Sequence, residues 1–255
     1  TISNSAPLVN NLEISPNDPK TGDDFSIDYT FIDVDSDLEN GTRIIWYKDG
    51  ILQHALNNSI SVEANFTLKG QEWHCKVQPS DGVDLGNWIS LSANTTIGNT
   101  IPRVISAELL PVGSVYTSDN LTAVFEGADD DNDPIAYRIS WFNNTLEVST
   151  LENSLIVSSG YTRKGNYWTY KVWLFDGSNW SNSFSPSIGI TILNSRPSVE
   201  NVTLVGGQNT GSNVTLSYDF ADIDGDLESN QTVISWIITR GSDVIQDAPS
   251  TQILP

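Results

Sequence analysis

Three short acidic runs concentrate the reactive side chains of this sequence. The first is Asp33-Val34-Asp35-Ser36-Asp37-Leu38-Glu39 and the third is Asp222-Ile223-Asp224-Gly225-Asp226-Leu227-Glu228. Between them a second run carries Asp129, Asp131 and Asp133, with Gly127 at the place of the first Asp. Alternating carboxylates in a tight loop can converge on one hard cation, and calcium takes roughly six to eight oxygens. The pattern is not an EF-hand, because the residue that would close such a loop is Ile44, not Glu. Asp81 and Asp176, each followed by Gly, are placed to complete the first and second sites. The metal-ligand set is therefore Asp33, Asp35, Asp37, Glu39 and Asp81; Asp129, Asp131, Asp133 and Asp176; and Asp222, Asp224, Asp226 and Glu228. The first and third runs are the better candidates. The alternative is a solvated acidic turn, since Asp, Asn and Gly are ordinary turn formers.

Other reactive residues do not assemble. His74 and Cys75 are adjacent, and neighbours on a strand point to opposite faces, so they cannot act as base and nucleophile. Cys75 reads as a buried thiol and His54 stands alone. With no metalloprotease motif, phosphate loop or serine elbow, no catalytic set emerges and the chain is not expected to be an enzyme. Trp88, Trp173 and Trp180 are candidates for a sugar-binding platform, or for packing on a neighbour.

Composition narrows the partners. There are 32 acidic residues against 12 Lys and Arg, a formal charge of −20. Nucleic acid and anionic membranes need a positive surface, so both are excluded as partners. Hydrophobic residues at 38%, with eight each of Trp, Tyr and Phe, are enough for a packed core. No apolar run is long enough to span a membrane. The single cysteine cannot form an intrachain disulfide, so core size or bound metal must replace one. The sequence has neither an initiating Met nor a signal peptide and reads as a mature product or an excerpt. Ten Asn-x-Ser/Thr sequons, at Asn40, Asn57, Asn65, Asn94, Asn120, Asn143, Asn179, Asn201, Asn213 and Asn230, predict a secretory route and glycosylation of several.

The organising feature is a repeat of 95 residues. Asn4-Ser5-Ala6-Pro7 returns as Asn99-Thr100-Ile101-Pro102 and as Asn194-Ser195-Arg196-Pro197. Trp46, Trp141 and Trp236 keep that spacing, as do Ile44, Ile139 and Ile234. Lys69-Gly70, Trp73, Lys76-Val77 and Asp81-Gly82 recur as Lys164-Gly165, Trp168, Lys171-Val172 and Asp176-Gly177. Phe25, Ile27, Tyr29 and Phe31 alternate with polar residues, as do Val214, Leu216, Tyr218 and Phe220, which is the period of a half-buried strand. No helical stretch is evident. The expectation is all-β: tandem immunoglobulin-like sandwiches at 1–98, 99–193 and 194–255, the third incomplete. All three Trp are expected between sheets. The missing strands of the third repeat would follow in a longer parent protein, or come from another subunit.

The units resemble the Ig-like, PKD-like and cadherin-like repeats of archaeal or bacterial cell-surface proteins. Paired cysteines and the cadherin linker motif are absent. The resemblance implies an extracellular structural protein: a stalk, filament or surface-layer component stiffened by calcium at its joints. The implied partners are copies of itself, neighbouring surface proteins or glycans. The alternative is an adhesin, or the accessory binding repeats of a larger secreted protein.

Overall fold

The computed structural model describes residues 3–206, 212–229, 231–240 and 243–250, with side chains described as far as residue 237. Its first repeat contains β1 (Leu8–Ser15), β2 (Phe25–Ile32), β3 (Arg43–Lys48), β4 (Ile51–Leu52), β5 (Ser61–Val62), β6 (Glu72–Gln78), β7 (Ile89–Ser90) and β8 (Thr95–Thr96). One sheet runs β1-β2-β5 and the other β4-β3-β6-β7, with β8 also paired to β6. The alternation read from the sequence gives the packing. Phe25 and Ile27 from one sheet meet Ile44, Trp46, Trp73, Cys75 and Val77 from the other in a single buried cluster. Phe25, Trp46 and Trp73 meet edge to face at 5.6–6.3 Å, a geometry worth about 0.5–1.5 kcal/mol per pair beyond area burial. The Trp46 indole N–H is satisfied by Ser59 O at 2.9 Å, so the ring buries no orphan donor.

The second repeat contains β9 (Arg103–Leu110), β10 (Val115–Tyr116), β11 (Leu121–Ala128), β12 (Ala136–Asn143), β13 (Leu146–Glu147), β14 (Ile156–Val157), β15 (Tyr167–Phe175) and β16 (Ile190–Leu193). Its sheets run β14-β11-β9 and β10-β16-β15-β12-β13. Trp141 packs on Trp168 and Tyr170, and its N–H donates to Ser154 O, as Trp46 does to Ser59. Tyr170 replaces Cys75 and does more: its hydroxyl donates to Glu108 O at 3.0 Å and Val124 O at 2.7 Å on the facing sheet.

The third repeat contains β17 (Ser198–Gly206), β18 (Val214–Ala221), β19 (Ile234–Arg240) and β20 (Asp243–Ser250). These form two hairpin sheets, β17-β18 and β19-β20. All of β17 is exposed, including Val199, Val202, Leu204 and Val205. The expectation for Trp236 is corrected here. It is half-buried, whereas Trp46 and Trp141 are wholly buried. In the first repeat β3 pairs with β6, which supplies Trp73; β19 pairs with β20, and nothing equivalent to Trp73 or Trp168 stands beside Trp236 among the described residues.

The chain separates into two compact units. One comprises 1–106, 125–138 and 172–184; the other comprises 107–124, 139–171 and 185–255. The division runs through the second repeat: its acidic loop belongs with the first repeat, and its opposite end belongs with the third. Among the described residues no helix is long and apolar enough to cross a membrane.

Candidate functional site

The three acidic loops fold alike. Asp33 Oδ1 accepts the N–H groups of Asp35 at 2.8 Å and Asp37 at 3.1 Å. Asp129 does the same for Asp131 and Asp133, at 2.8 and 3.3 Å, and Asp222 for Asp224 and Asp226, again at 2.8 and 3.3 Å. The residue between the second and third Asp has positive φ in every loop: Ser36 at 67°, Asn132 at 59° and Gly225 at 77°. Asp129 therefore occupies the first-Asp position, correcting the placement of Gly127 there. Gly127 lies on β11, where a Cβ would come within 2.3 Å of Leu174 Cδ1. A side chain there would displace the Leu174 side chain from its buried position.

The loops after β6 and β15 form the other wall. Asp81 Oδ1 accepts Val83 N–H and Asp84 N–H, both at 2.7 Å; Asp176 Oδ1 accepts Ser178 N–H at 2.7 Å and Asn179 N–H at 2.6 Å. The linker entering each of the first two repeats is strapped between the walls. Asn4 Nδ2 donates to Asp81 and Asp84 at 2.8 and 2.9 Å, while Ser5 N–H donates to Asp35 at 2.7 Å. Asn99 Nδ2 donates to Asp176 and Asn179, while Thr100 N–H donates to Asp131 at 2.6 Å. Ser195 N–H reaches Asp224 at 2.5 Å in the third repeat. Asn4 and Asn99 thus turn donors toward the carboxylates, whereas the Asn194 amide donates to Ser195 O at 2.8 Å. In this arrangement Asn4 and Asn99 strap the linker to the loop that follows β6 or β15.

These donors shift the titrations. The Asp81 carboxyl is held below the usual carboxylate range by Asn4, then by the N–H groups of Asp84 and Val83. At Asp176 burial pushes upward, but Asn179 N–H, Asn99 and Ser178 N–H outweigh it and the net direction is down. At Asp224 burial is likewise outweighed, by Thr117, Ser195 and Lys164.

The sequence-predicted ligands are brought together unevenly. Carboxylate oxygens of Asp129, Asp131 and Asp133 lie within 4.8 Å of one another, a group to which Asp176 does not belong. Among the described residues the first and third loops form no such group, although they are the better candidates by sequence. Glu39 and Glu228 are drawn aside, accepting hydrogen bonds from Tyr29 at 2.7 Å and Tyr218 at 2.6 Å. What fits a cation is the set of buried carboxylate oxygens without a hydrogen-bond partner: Asp33 Oδ2, Asp129 Oδ2 and Asp131 Oδ1. A buried anionic oxygen lacking a partner is costly unless a positive charge meets it.

Two cationic contacts had no signal in the acidic runs. Lys69 meets Asp133 and Asn99, and Lys164 meets Asp226. Elsewhere Cys75 is wholly buried, and burial pushes its thiol up to about 12, so it is unreactive at neutral pH. His74 faces the other way, as strand alternation requires. Trp88 and Trp180 are exposed, while Trp173 is half-buried under Arg138, whose guanidinium stands 4.5 Å from its ring. Of the sequons, Asn143 is half-buried and Asn230 lies outside the described residues; the other eight are exposed.

No family model matches the chain and no curated protein is similar to it. Solved structures with similar architecture include three N-terminal domains of the bacteriophage RB49 highly immunogenic outer capsid protein, at 15% identity over 95% of this chain and 80% of that one, with a TM-score of 0.29. A two-domain fibronectin type III segment of chicken tenascin matches at 16% identity over 72% of this chain and 98% of that one, TM-score 0.30. Fibronectin(III)-like modules of Clostridium thermocellum CbhA match at 12% identity over 73% and 94%, TM-score 0.27. At these scores the likeness carries no argument about activity, and the sandwich assignment stands on the strands and registers above.

Proposed function

We propose that this chain is a structural extracellular protein, a run of Ig-like repeats forming a stalk, filament or surface-layer element. The observation that carries the reading is the joint. In each repeat a short linker is pinned by its own N–H to the middle Asp of the acidic loop, leaving little slack between repeats. A pinned linker suits a part that must hold direction. Calcium would be held by Asp33, Asp35 and Asp37, by Asp129, Asp131 and Asp133, and by Asp222, Asp224 and Asp226, where it would neutralise crowded carboxylates. The unpartnered oxygens of Asp33, Asp129 and Asp131 support that reading. The ten sequons support a secretory route and display at a cell surface.

Electron microscopy of the native protein, with scattering profiles in calcium and in chelator, tests this. Stiff extended particles that loosen on chelation are expected. Particles equally flexible in both conditions would remove calcium from the account, and compact isolated particles would remove the stalk.

A second reading, an adhesin or an accessory binding repeat, draws on one surface. Trp180 is 47% exposed and stacks on Phe175 at 4.8 Å, with Arg138 beside it. Such a flat aromatic face suits a glycan, and titration with oligosaccharides while following Trp fluorescence would detect it.

A further inference from the structure

Lys69-Gly70 and Lys164-Gly165 enter the sequence reading only as marks of the repeat. In the structure both lysines reach out of their own repeat. Lys69 Nζ stands 2.5 Å from Asp133 Oδ2 and 2.6 Å from Asn99 Oδ1. Lys164 Nζ stands 2.6 and 2.8 Å from the two oxygens of Asp226. Asp133 and Asp226 hold the same position, the third aspartate of the following repeat's loop. The two joints fall in different compact units, so the contact is built twice.

The turn that presents each lysine is also built twice. Gly70 and Gly165 sit at φ +84° and +83°, a conformation that disfavours any side chain. Gly70 N–H donates to Ile97 O and Gly165 N–H to Ile192 O, both at 2.8 Å. Ile97 and Ile192 come just before the linker residues Asn99 and Asn194, so each lysine is fixed beside the segment leaving its repeat. A second contact accompanies each: Thr100 Oγ1 donates to Thr21 O at 2.7 Å, and the Thr117 hydroxyl donates to Asp224. Two points of contact define an orientation, where one alone would leave a swivel.

We propose that the third aspartate of an acidic loop is a receptor for the lysine ammonium of the repeat before it, so that the Lys-Gly turn and the loop form the surface by which one repeat recognises the next. This deepens the stalk reading and rests on it, but it does not need calcium. Each lysine is held charged first by its own aspartate partner, with Asp131 and Asp176 adding to Asp133, and Asp224 and Asp222 adding to Asp226. Among the described residues no Lys or Arg touches Asp37, the matching position in the first loop. The lysine is therefore a built-in cation at two loops and not at the other.

Spin labels at Asp28→Cys and Glu126→Cys, both exposed, would report the first joint; buried Cys75 would stay unlabelled. In chelator, Lys69→Gln and Asp133→Asn should each broaden the distance distribution about twofold. The double variant should broaden it no further, and Lys69→Arg should keep it narrow. Unchanged widths, or additive broadening in the double variant, would overturn the receptor. If chelation broadens the parent protein while the lysine variants do not, the receptor fails and the calcium joint survives. If the lysine variants broaden it and chelation does nothing, the receptor stands and calcium is removed. Should Lys69→Gln fold poorly, Asp133→Asn tests the pair from the other side.

Discussion

Trp141 and Trp236 stand at the same repeat position, yet one is wholly buried and the other only partly so. The difference is not in the tryptophan or in its strand. Trp141 meets Trp168 and Tyr170 at 6.4 and 5.3 Å, whereas β19 pairs with the hairpin partner β20. An Ig-like half-sandwich can form its hairpins from local pattern, but it closes its core only when strands distant in sequence arrive.

Substitution of the tryptophans should give the largest contrast. Trp46→Ala or Trp141→Ala should cost about 3–5 kcal/mol, the range for deleting a large buried aromatic. Trp236→Ala should cost less than either, because its ring is only partly buried. Chemical denaturation followed by Trp fluorescence measures both; equal losses would mean that the third repeat closes its core as fully as the second.

The turns should come next. Gly70→Ala or Gly165→Ala places a Cβ at positive φ and should cost about 1–2 kcal/mol. Gly225→Ser should cost less, since Ser36 already adopts that conformation in the first loop. Melting temperatures of the three variants decide the order.

Calcium sharpens the comparison among loops. Affinities of about 0.1–1 mM are expected for extracellular modules. At ten times the dissociation constant, binding to the folded state alone adds about 1.4 kcal/mol. Lys69 and Lys164 compete for Asp133 and Asp226, so Asp33→Asn should reduce the calcium-dependent rise in melting temperature more than Asp129→Asn does. Equal reductions would show that the lysines do not compete.

The smallest effect expected is at alkaline pH. Burial raises the Cys75 thiol from 9.0 to about 12 and the Tyr170 hydroxyl from 10.0 to about 12. Both groups are neutral when protonated, and the unfolded chain ionises first. Their stabilising effect is thus full below about pH 9 and is lost as pH rises through 12. The first two repeats should lose stability gradually from about pH 9 to pH 12, with native Cys75 unreactive toward a disulfide reagent at pH 8. Rapid labelling of the native protein at pH 8 would show the thiol to be accessible.

Much of this was legible without coordinates. The alternation of Phe25, Ile27 and Tyr29, and of Trp73, Cys75 and Val77, encodes which side chains face inward, because a strand has a period of two. The spacing of the tryptophans and of the linker asparagines encodes the repeat, and the Asp-x-Asp-x-Asp pattern encodes the loops. Other features were settled only by tertiary structure. That Gly127 packs against Leu174 and is not the place of a missing aspartate was decided by how β11 and β15 face each other. Asn4 and Asn99 donate to aspartates far away in sequence, so their role as straps depends on how the loops meet. The burial of Trp236 depends on strands beside it. Lys69 and Asp133 lie in different repeats and carry no shared pattern; only the fold sets one ammonium beside one carboxylate. Local pattern sets each strand and turn because the backbone period acts on neighbours, while pairing between distant charges is decided by where the folded strands deliver them.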